Sequence, residues 1–177
     1  MAPKADVWVE MNSWRIQEYP LTNETPCSDI VFVQDLTGSQ GPYITAVKEK
    51  MKSTVQTMKS DNKITTLRMG LITFRDYADN ASADIVTHDF TTDIDVFNGW
   101  LNPESATGGG DGPEAQTRAL YALLTNVTWQ AQTRIAVLIT DSPPHGVDNK
   151  AHDDYPKGDP NSRLPPRFVL PATELFW

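Results

Sequence analysis

Ile30-Val-Phe-Val33, followed at once by Gln34-Asp35-Leu-Thr37-Gly-Ser39, decides how the rest of the chain is read. The run is apolar at successive positions, so it is apolar on both faces, as a central strand of a parallel sheet must be. It ends by releasing one carboxylate and two hydroxyls at alternate positions. Along an extended segment, residues 35, 37 and 39 fall on the same side, and three oxygen ligands then point at one spot. Hard divalent cations such as Mg²⁺ take oxygen ligands, prefer octahedral geometry and keep several waters.

Two later segments repeat the theme. Thr107-Gly-Gly-Gly-Asp111-Gly-Pro-Glu114 is a glycine-rich loop that opens a helix, and Arg134-Ile-Ala-Val-Leu-Ile-Thr-Asp141 is a second apolar strand ending on a carboxylate. Either aspartate alone reads as the N-cap of the helix that follows. That reading does not explain why two strands and one loop all end in oxygen ligands.

In this order, strand with D-x-T-x-S, glycine-rich loop, strand with T-D, the chain resembles the metal-ion-dependent adhesion site of von Willebrand factor A domains. Its Asp-Gly-Pro-Glu stretch is similar to the corresponding loop of integrin β-subunit I-like domains. That loop also resembles the hemicentin and α-kinase-associated A domains, as do Asp141-Ser-Pro-Pro-His145-Gly and Asp154-Tyr-Pro-Lys-Gly-Asp159-Pro. The resemblance covers roughly residues 28–160. It implies that Asp35 binds Mg²⁺ or Mn²⁺ directly or through water, with Thr37 and Ser39 as hydroxyl ligands and Asp141 as the second-strand carboxylate. The loop ligand is either Thr107 or Glu114, and the integrin β-type match favours Glu114. Asp111 then lies near a flanking cation site or caps the helix. His145 either orients the site or is an exposed loop histidine. The glycines at 108–110 let backbone approach closely and take positive φ.

Bulk properties suit one soluble domain. The 177 residues are 39% hydrophobic and 21% charged, ordinary values for a globular chain large enough to bury a core. A net charge of −8 argues against nucleic acid or an anionic membrane as the main partner. No apolar run has the length of a membrane span, and Met1-Ala-Pro-Lys-Ala-Asp6 has no apolar signal core. A single cysteine, Cys27, cannot form an internal disulfide and points to the cytoplasm. The N-x-[ST] triplets at Asn23, Asn80 and Asn126 are common by chance and weigh little against this.

Strand and helix patterns alternate along the chain, which predicts an α/β fold with a Rossmann-like, mostly parallel sheet flanked by helices. Residues 1–28 read as an irregular lead-in, in which Val7, Met11 and Trp14 form at most one short apolar helical face packed over an end of the sheet. Strands are expected at 29–34, 65–74 and 134–140, with a short antiparallel edge strand within Ala83–Phe90. Ile44, Val47, Met51, Val55 and Met58 recur at helical spacing, with Pro42 in the first turn. Thr92-Asp-Ile-Asp95 matches a capping box before a helix whose Ile94, Phe97 and Leu101 face inward, and Glu114–Val127 reads as the next helix. Ligands of such sheets sit at the carboxyl ends of strands where strand order reverses, the ends that carry Asp35 and Asp141.

The end of the chain departs from the family pattern, which continues with two further strand–helix units. Prolines stand at 143, 144, 156, 160, 165, 166 and 171, and proline confines strands to edges. Only Arg167-Phe-Val-Leu170 retains a strand pattern. The domain, residues 29–160, is therefore expected to lack its last strands, with 161–177 as a proline-rich tail. No nucleotide-phosphate loop, nucleophile elbow or H-E-x-x-H motif is present, and no enzyme is expected. The expected function is divalent-metal-dependent protein binding, in which a partner's acidic side chain completes the ion's coordination. The alternatives are a non-catalytic regulatory module of a kinase-like protein, or a truncated domain with reduced function.

Overall fold

The structure, a computed structural model, describes residues 7–10, 15–18, 27–61, 64–77, 85–147 and 152–159. The first elements differ from expectation. Val7–Glu10 (β1) and Arg15–Glu18 (β2) are strands that pair antiparallel with each other, Val7 opposite Glu18. Val7 is therefore extended rather than helical; Met11, Trp14 and the tail beyond residue 159 lie outside the described residues.

The main sheet follows the alternation read from the sequence. Cys27–Asp35 (β3) leads into Ile44–Ser60 (α1) and Thr66–Phe74 (β4). Val86–Thr91 (β5), Ile94–Leu101 (α2), Gln116–Thr125 (α3) and Thr133–Ile139 (β6) complete it. Strand order is β5-β4-β3-β6, with β3 parallel to both β4 and β6 and β5 antiparallel at one edge. β3 is thus an interior strand, paired in parallel on both sides, among the described residues.

Its alternation feeds two cores. Ile30 and Phe32 face one side with Met51 and Val55 of α1 and Phe97 and Leu101 of α2. Val31 and Val33 face the other with Ala119, Ala122 and Leu123 of α3. Each buried Val, Leu, Ile, Phe or Met contributes roughly 1.5–3 kcal/mol over exposure, and β3 offers such residues to both layers. The apolar stripe predicted for α1 is the face that packs, with Val47 and Met58 flanking Met51 and Val55.

Three local expectations are corrected. The N-cap of α2 is Asp93, not Thr92: its carboxylate accepts from the amides of Asp95 and Val96. A carboxylate is the stronger acceptor there and favours the positive end of the helix. Pro42 lies in the turn before α1, whose N-cap is Tyr43. Helix α3 begins at Gln116 rather than Glu114, because the Glu114 amide is drawn into a hydrogen bond with the Pro143 carbonyl at 3.0 Å.

At the opposite end of the sheet from Asp35, Asp29 is fully buried and held by Arg68 through two charged hydrogen bonds of 2.8 and 2.6 Å. The amides of Gln130 and Ala131 donate to the same carboxylate. Burial pushes its pKa up, but Arg68 and the two amides outweigh that and hold it below the usual carboxylate range.

Candidate functional site

Strand β3 stops at Asp35, and the chain does not run on from it as an extended segment. Thr37 is extended, while Gly38–Gln40 forms a single 3₁₀ turn. Ser39 therefore reaches the site by a turn rather than by strand alternation, and its hydroxyl still lies 3.3 Å from that of Thr37. The tight turn shortens the chain between them, so i and i+2 oxygens stay neighbours off the strand.

The structure brings the two strand ends together. Asp35 is fully buried; its Oδ1 accepts from the Thr37 amide at 2.8 Å and the Thr37 hydroxyl at 2.7 Å. The Thr140 hydroxyl, on the segment leaving β6, donates to Asp35 Oδ2 at 2.8 Å. Ser39 Oγ donates to Asp141 Oδ1 at 2.8 Å. Burial raises the Asp35 pKa, the Thr37 and Thr140 hydrogen bonds oppose this, and the Asp141 charge adds to it.

The glycine-rich loop is strapped onto this cluster. The Thr107 amide donates to the Leu36 carbonyl at 2.9 Å, and the Gly38 amide to the Gly108 carbonyl at 2.8 Å. Gly108 and Gly109 have φ of 77° and 87°, and a Cβ on Gly109 would stand 3.4 Å from both Glu114 Oε1 and Thr37 Cβ. Only glycine takes that conformation without strain at so close an approach. Gly110 is not among the positive-φ glycines.

Between the two candidate loop ligands the geometry is unequal. Glu114 is 3% exposed, and its Oε2 finds no hydrogen-bond partner among the described residues. Its pKa is pushed up to about 8, first by burial and then by the Asp35 charge, with the Thr37 hydroxyl opposing. Thr107 is exposed, and its carbonyl accepts from Arg75 Nε at 3.2 Å.

Asp111 joins a different group and does not cap α3, whose N-cap, Ala115, makes no side-chain cap. Instead its Oδ2 accepts from the Asp154 amide at 2.6 Å. The capping contact to α3 comes from 41 residues downstream, where Asp159 Oδ2 accepts from the Arg118 amide at 2.9 Å. His145 is not an exposed loop residue. It is buried between Asp76 and Asp153, at 2.7 Å from Nε2 and 2.9 Å from Nδ1. The nearest metal-compatible groupings on this side are Asp76, Asp111 and His145, and Asp111, His152 and Asp154.

Sequence reasoning assigns no role to Thr140, Asp76 or the Asp29–Arg68 pair. Thr140 is within its reach, since a hydroxyl immediately before the strand-end carboxylate is itself an oxygen donor at the same place. Asp76 carries no such signal: its partner is 69 residues away.

Comparison with known proteins agrees with this architecture. Residues 29–154 match the family model of the von Willebrand factor A domain. The chain is 32% identical over 137 residues to the alpha-protein kinase vwkA of Dictyostelium discoideum, covering 76% of this chain and 22% of that protein. It is also 32% identical over 127 residues to an ariadne-like RING finger protein, R811, of Acanthamoeba polyphaga mimivirus, covering 72% of this chain and 12% of that one. The chain thus spans about a fifth or less of the length of these relatives. Among solved structures, the pilus adhesin SpaC of Lactobacillus rhamnosus GG in its open conformation superposes with a TM-score of 0.52 at 19% identity. That match covers 75% of this chain and 18% of the adhesin, and it speaks to the fold alone. No helix among the described residues is long and apolar enough to cross a membrane. With a family model matched across both strand-end aspartates and the loop between them, the chain belongs to the von Willebrand factor A domain family.

Proposed function

We propose that this domain is a divalent-metal-dependent protein-binding module, with Mg²⁺ or Mn²⁺ held by Asp35, Thr37, Ser39, Asp141 and Glu114. The observation that carries this reading is the buried, unpartnered Oε2 of Glu114 beside the buried Asp35. Two buried carboxylates, both with raised pKa and one of them raised by the other's charge, are costly without a cation near them. The donor set fits a hard dication: carboxylates and hydroxyls only, at the carboxyl ends of adjacent strands. Bound there, such an ion supplies positive charge and open coordination positions that an acidic side chain of a partner protein can fill.

The chain's own residues do the positioning. Thr37 and Thr140 each donate a hydroxyl hydrogen bond to one of the two Asp35 oxygens, so the carboxylate is held in a fixed orientation. Ser39 and Asp141 orient each other. The contacts of Thr107 and Gly108 with Leu36 and Gly38, and that of the Glu114 amide with the Pro143 carbonyl, hold the two ends of the loop. A region shared by a protein named for a kinase and one named for a RING finger carries what the two have in common, which supports a non-catalytic binding role over an enzymatic one. The kinase relative supports a second, narrower reading, a regulatory module within a longer kinase-like protein.

The test is a titration of the purified chain with MgCl₂ or MnCl₂ by calorimetry, with thermal melts alongside. A ligand that binds only the folded state stabilises it by about 2.7 kcal/mol at a hundredfold excess over Kd. One principal site, abolished in Asp35→Ala and in Asp141→Ala, is expected. Parent-like metal binding by both variants would place the site elsewhere.

A further inference from the structure

We infer that His145 is a resident cation: its doubly protonated ring occupies a position beside the candidate metal site that a second metal ion would otherwise take. The flank of the site is thereby built closed to metal.

Counting donors points to the charge state. A neutral imidazole has one N–H and one lone pair; only the imidazolium donates from both nitrogens. His145 sets Nε2 2.7 Å from Asp76 Oδ1 and Nδ1 2.9 Å from Asp153 Oδ1. With a neutral ring and ionised acids, one of these contacts is a lone pair against a carboxylate oxygen, which is repulsive at that distance. Both are favourable together when both nitrogens carry protons.

The surroundings are built for the charge. Asp76 follows β4 and Asp153 belongs to the 152–159 segment, so the ring joins two separate parts of the chain. Asp153 is itself fixed by the amides of Gly146 and Tyr155, each at 2.8 Å. Gly146 has a φ of 80°, and a Cβ there would meet the Gly158 amide nitrogen at 2.6 Å, so the turn beside His145 admits only glycine. Tyr155 packs edge-on to the imidazole at 5.1 Å and Tyr77 lies at 5.9 Å, and the histidine is buried. Asp159 and Asp111 are the other charges that act on the ring. Burial opposes protonation, but the acids prevail and push the His145 pKa up to about 9.

Asp76, Asp111 and His145 have ligand atoms within 4.8 Å of one another, a spacing that would suit a metal. Both ring nitrogens face carboxylates, so the acids that would hold an ion are already neutralised by the ring, which fills the place between them. The imidazolium supplies the positive charge in the ion's place. It also anchors the segment whose Pro143 carbonyl accepts from the Glu114 amide, so this fixed cation and the exchangeable ion share one scaffold. The charge state stands independently of the metal reading, whereas the single-ion stoichiometry rests on it.

The test uses the full chain, metal-free, with ¹⁵N-labelled histidine, the His145 resonances being assigned by comparison with His145→Gln. Long-range ¹H–¹⁵N spectra at pH 7.5 are expected to show both His145 nitrogens protonated. Titration with MnCl₂ then gives one equivalent for the parent and two for His145→Ala, the second disappearing in the His145→Ala/Asp76→Asn double variant. A neutral His145 tautomer at pH 7.5 overturns the inference. So does a second Mn²⁺ equivalent in the parent that Asp76→Asn removes. A parent that takes up no Mn²⁺ defeats the metal reading of the Asp35 cluster, and the spectra still decide His145.

Discussion

Ser39 and Asp141 are 102 residues apart in the chain, and the hydroxyl of the first donates to the carboxylate of the second at 2.8 Å. The bond ties the turn after β3 to the end of β6, the two strands that pair in parallel along Ser28–Gln34. Strand pairing alone brings these ends together; the hydrogen bond sets their orientation.

Thr140 makes the companion contact to Asp35 Oδ2. Thr140→Val removes a donor from a buried acceptor, and leaving such a group unsatisfied costs about 1–3 kcal/mol. Urea melts of the metal-free chain should show that loss. Metal affinity is expected to fall as well, because the freed carboxylate binds its proton more tightly.

Glu114 and Thr107 are expected to separate cleanly. Glu114→Ala should weaken Mn²⁺ binding at least tenfold and Thr107→Ala by less than threefold, measured by calorimetry. Glu114→Gln should raise the melting temperature of the metal-free chain at pH 8.5, since it removes a buried charge facing Asp35. The opposite ranking of the two alanine variants would return the loop ligand to Thr107.

Stability of the metal-free chain should decline with pH on the alkaline side. The folded-state pKa of His145, about 9, lies above its ordinary 6.5. Its contribution is therefore complete below about pH 6.5 and lost as pH rises through 9, with a slope of up to about 1.4 kcal/mol per pH unit. Glu114, raised to about 8, acts in the same direction at lower pH. The His145 share is the part of the slope that vanishes in His145→Gln, read from urea midpoints between pH 6.5 and 9.

Asp29 offers a control far from the candidate metal site. Asp29→Ala strands the Arg68 guanidinium and two amides, and breaking a buried pair from one side costs about 3–5 kcal/mol. Folded Asp29→Ala protein should bind Mn²⁺ within about twofold of the parent, by calorimetry at low temperature. A larger change would mean that the two ends of the sheet are coupled.

Strand β6 is an edge among the described residues, with Ile135, Val137 and Ile139 only partly covered. Open edges with apolar side chains invite pairing with another chain. The isolated protein is expected to self-associate at high concentration, and Ala136→Lys, at an exposed edge position, to reduce it. Light scattering that shows a monomer throughout would mean the edge is covered.

The sheet is legible in the sequence because β3 and β6 are apolar on both faces and α1 on one, patterns set by burial and visible as spacing. The convergence of Asp35 with Asp141 obeys the same logic, since parallel neighbours end together. Ser39 reaches Thr37 through a turn that strand periodicity does not reveal. Residues 7–18 mislead because a short amphipathic stretch carries little spacing information. His145 and Asp76 are illegible for a different reason. A buried charge is known only by its partner, and theirs lie in separate loops.

Both ends of β3 are fastened by contacts of great sequence separation: Asp29 to Ala131 at one end, Asp35 to Thr140 at the other, 102 and 105 residues apart. Topologies dominated by such distant pairings fold slowly, because loop closure precedes any reward. A ribosome must therefore release residues through about 141 before Asp35 meets Thr140, and until then only its near neighbour Thr37 can engage that carboxylate. On the proposed reading, the metal-holding set is consequently complete only once β6 docks beside β3, rather than residue by residue along the way.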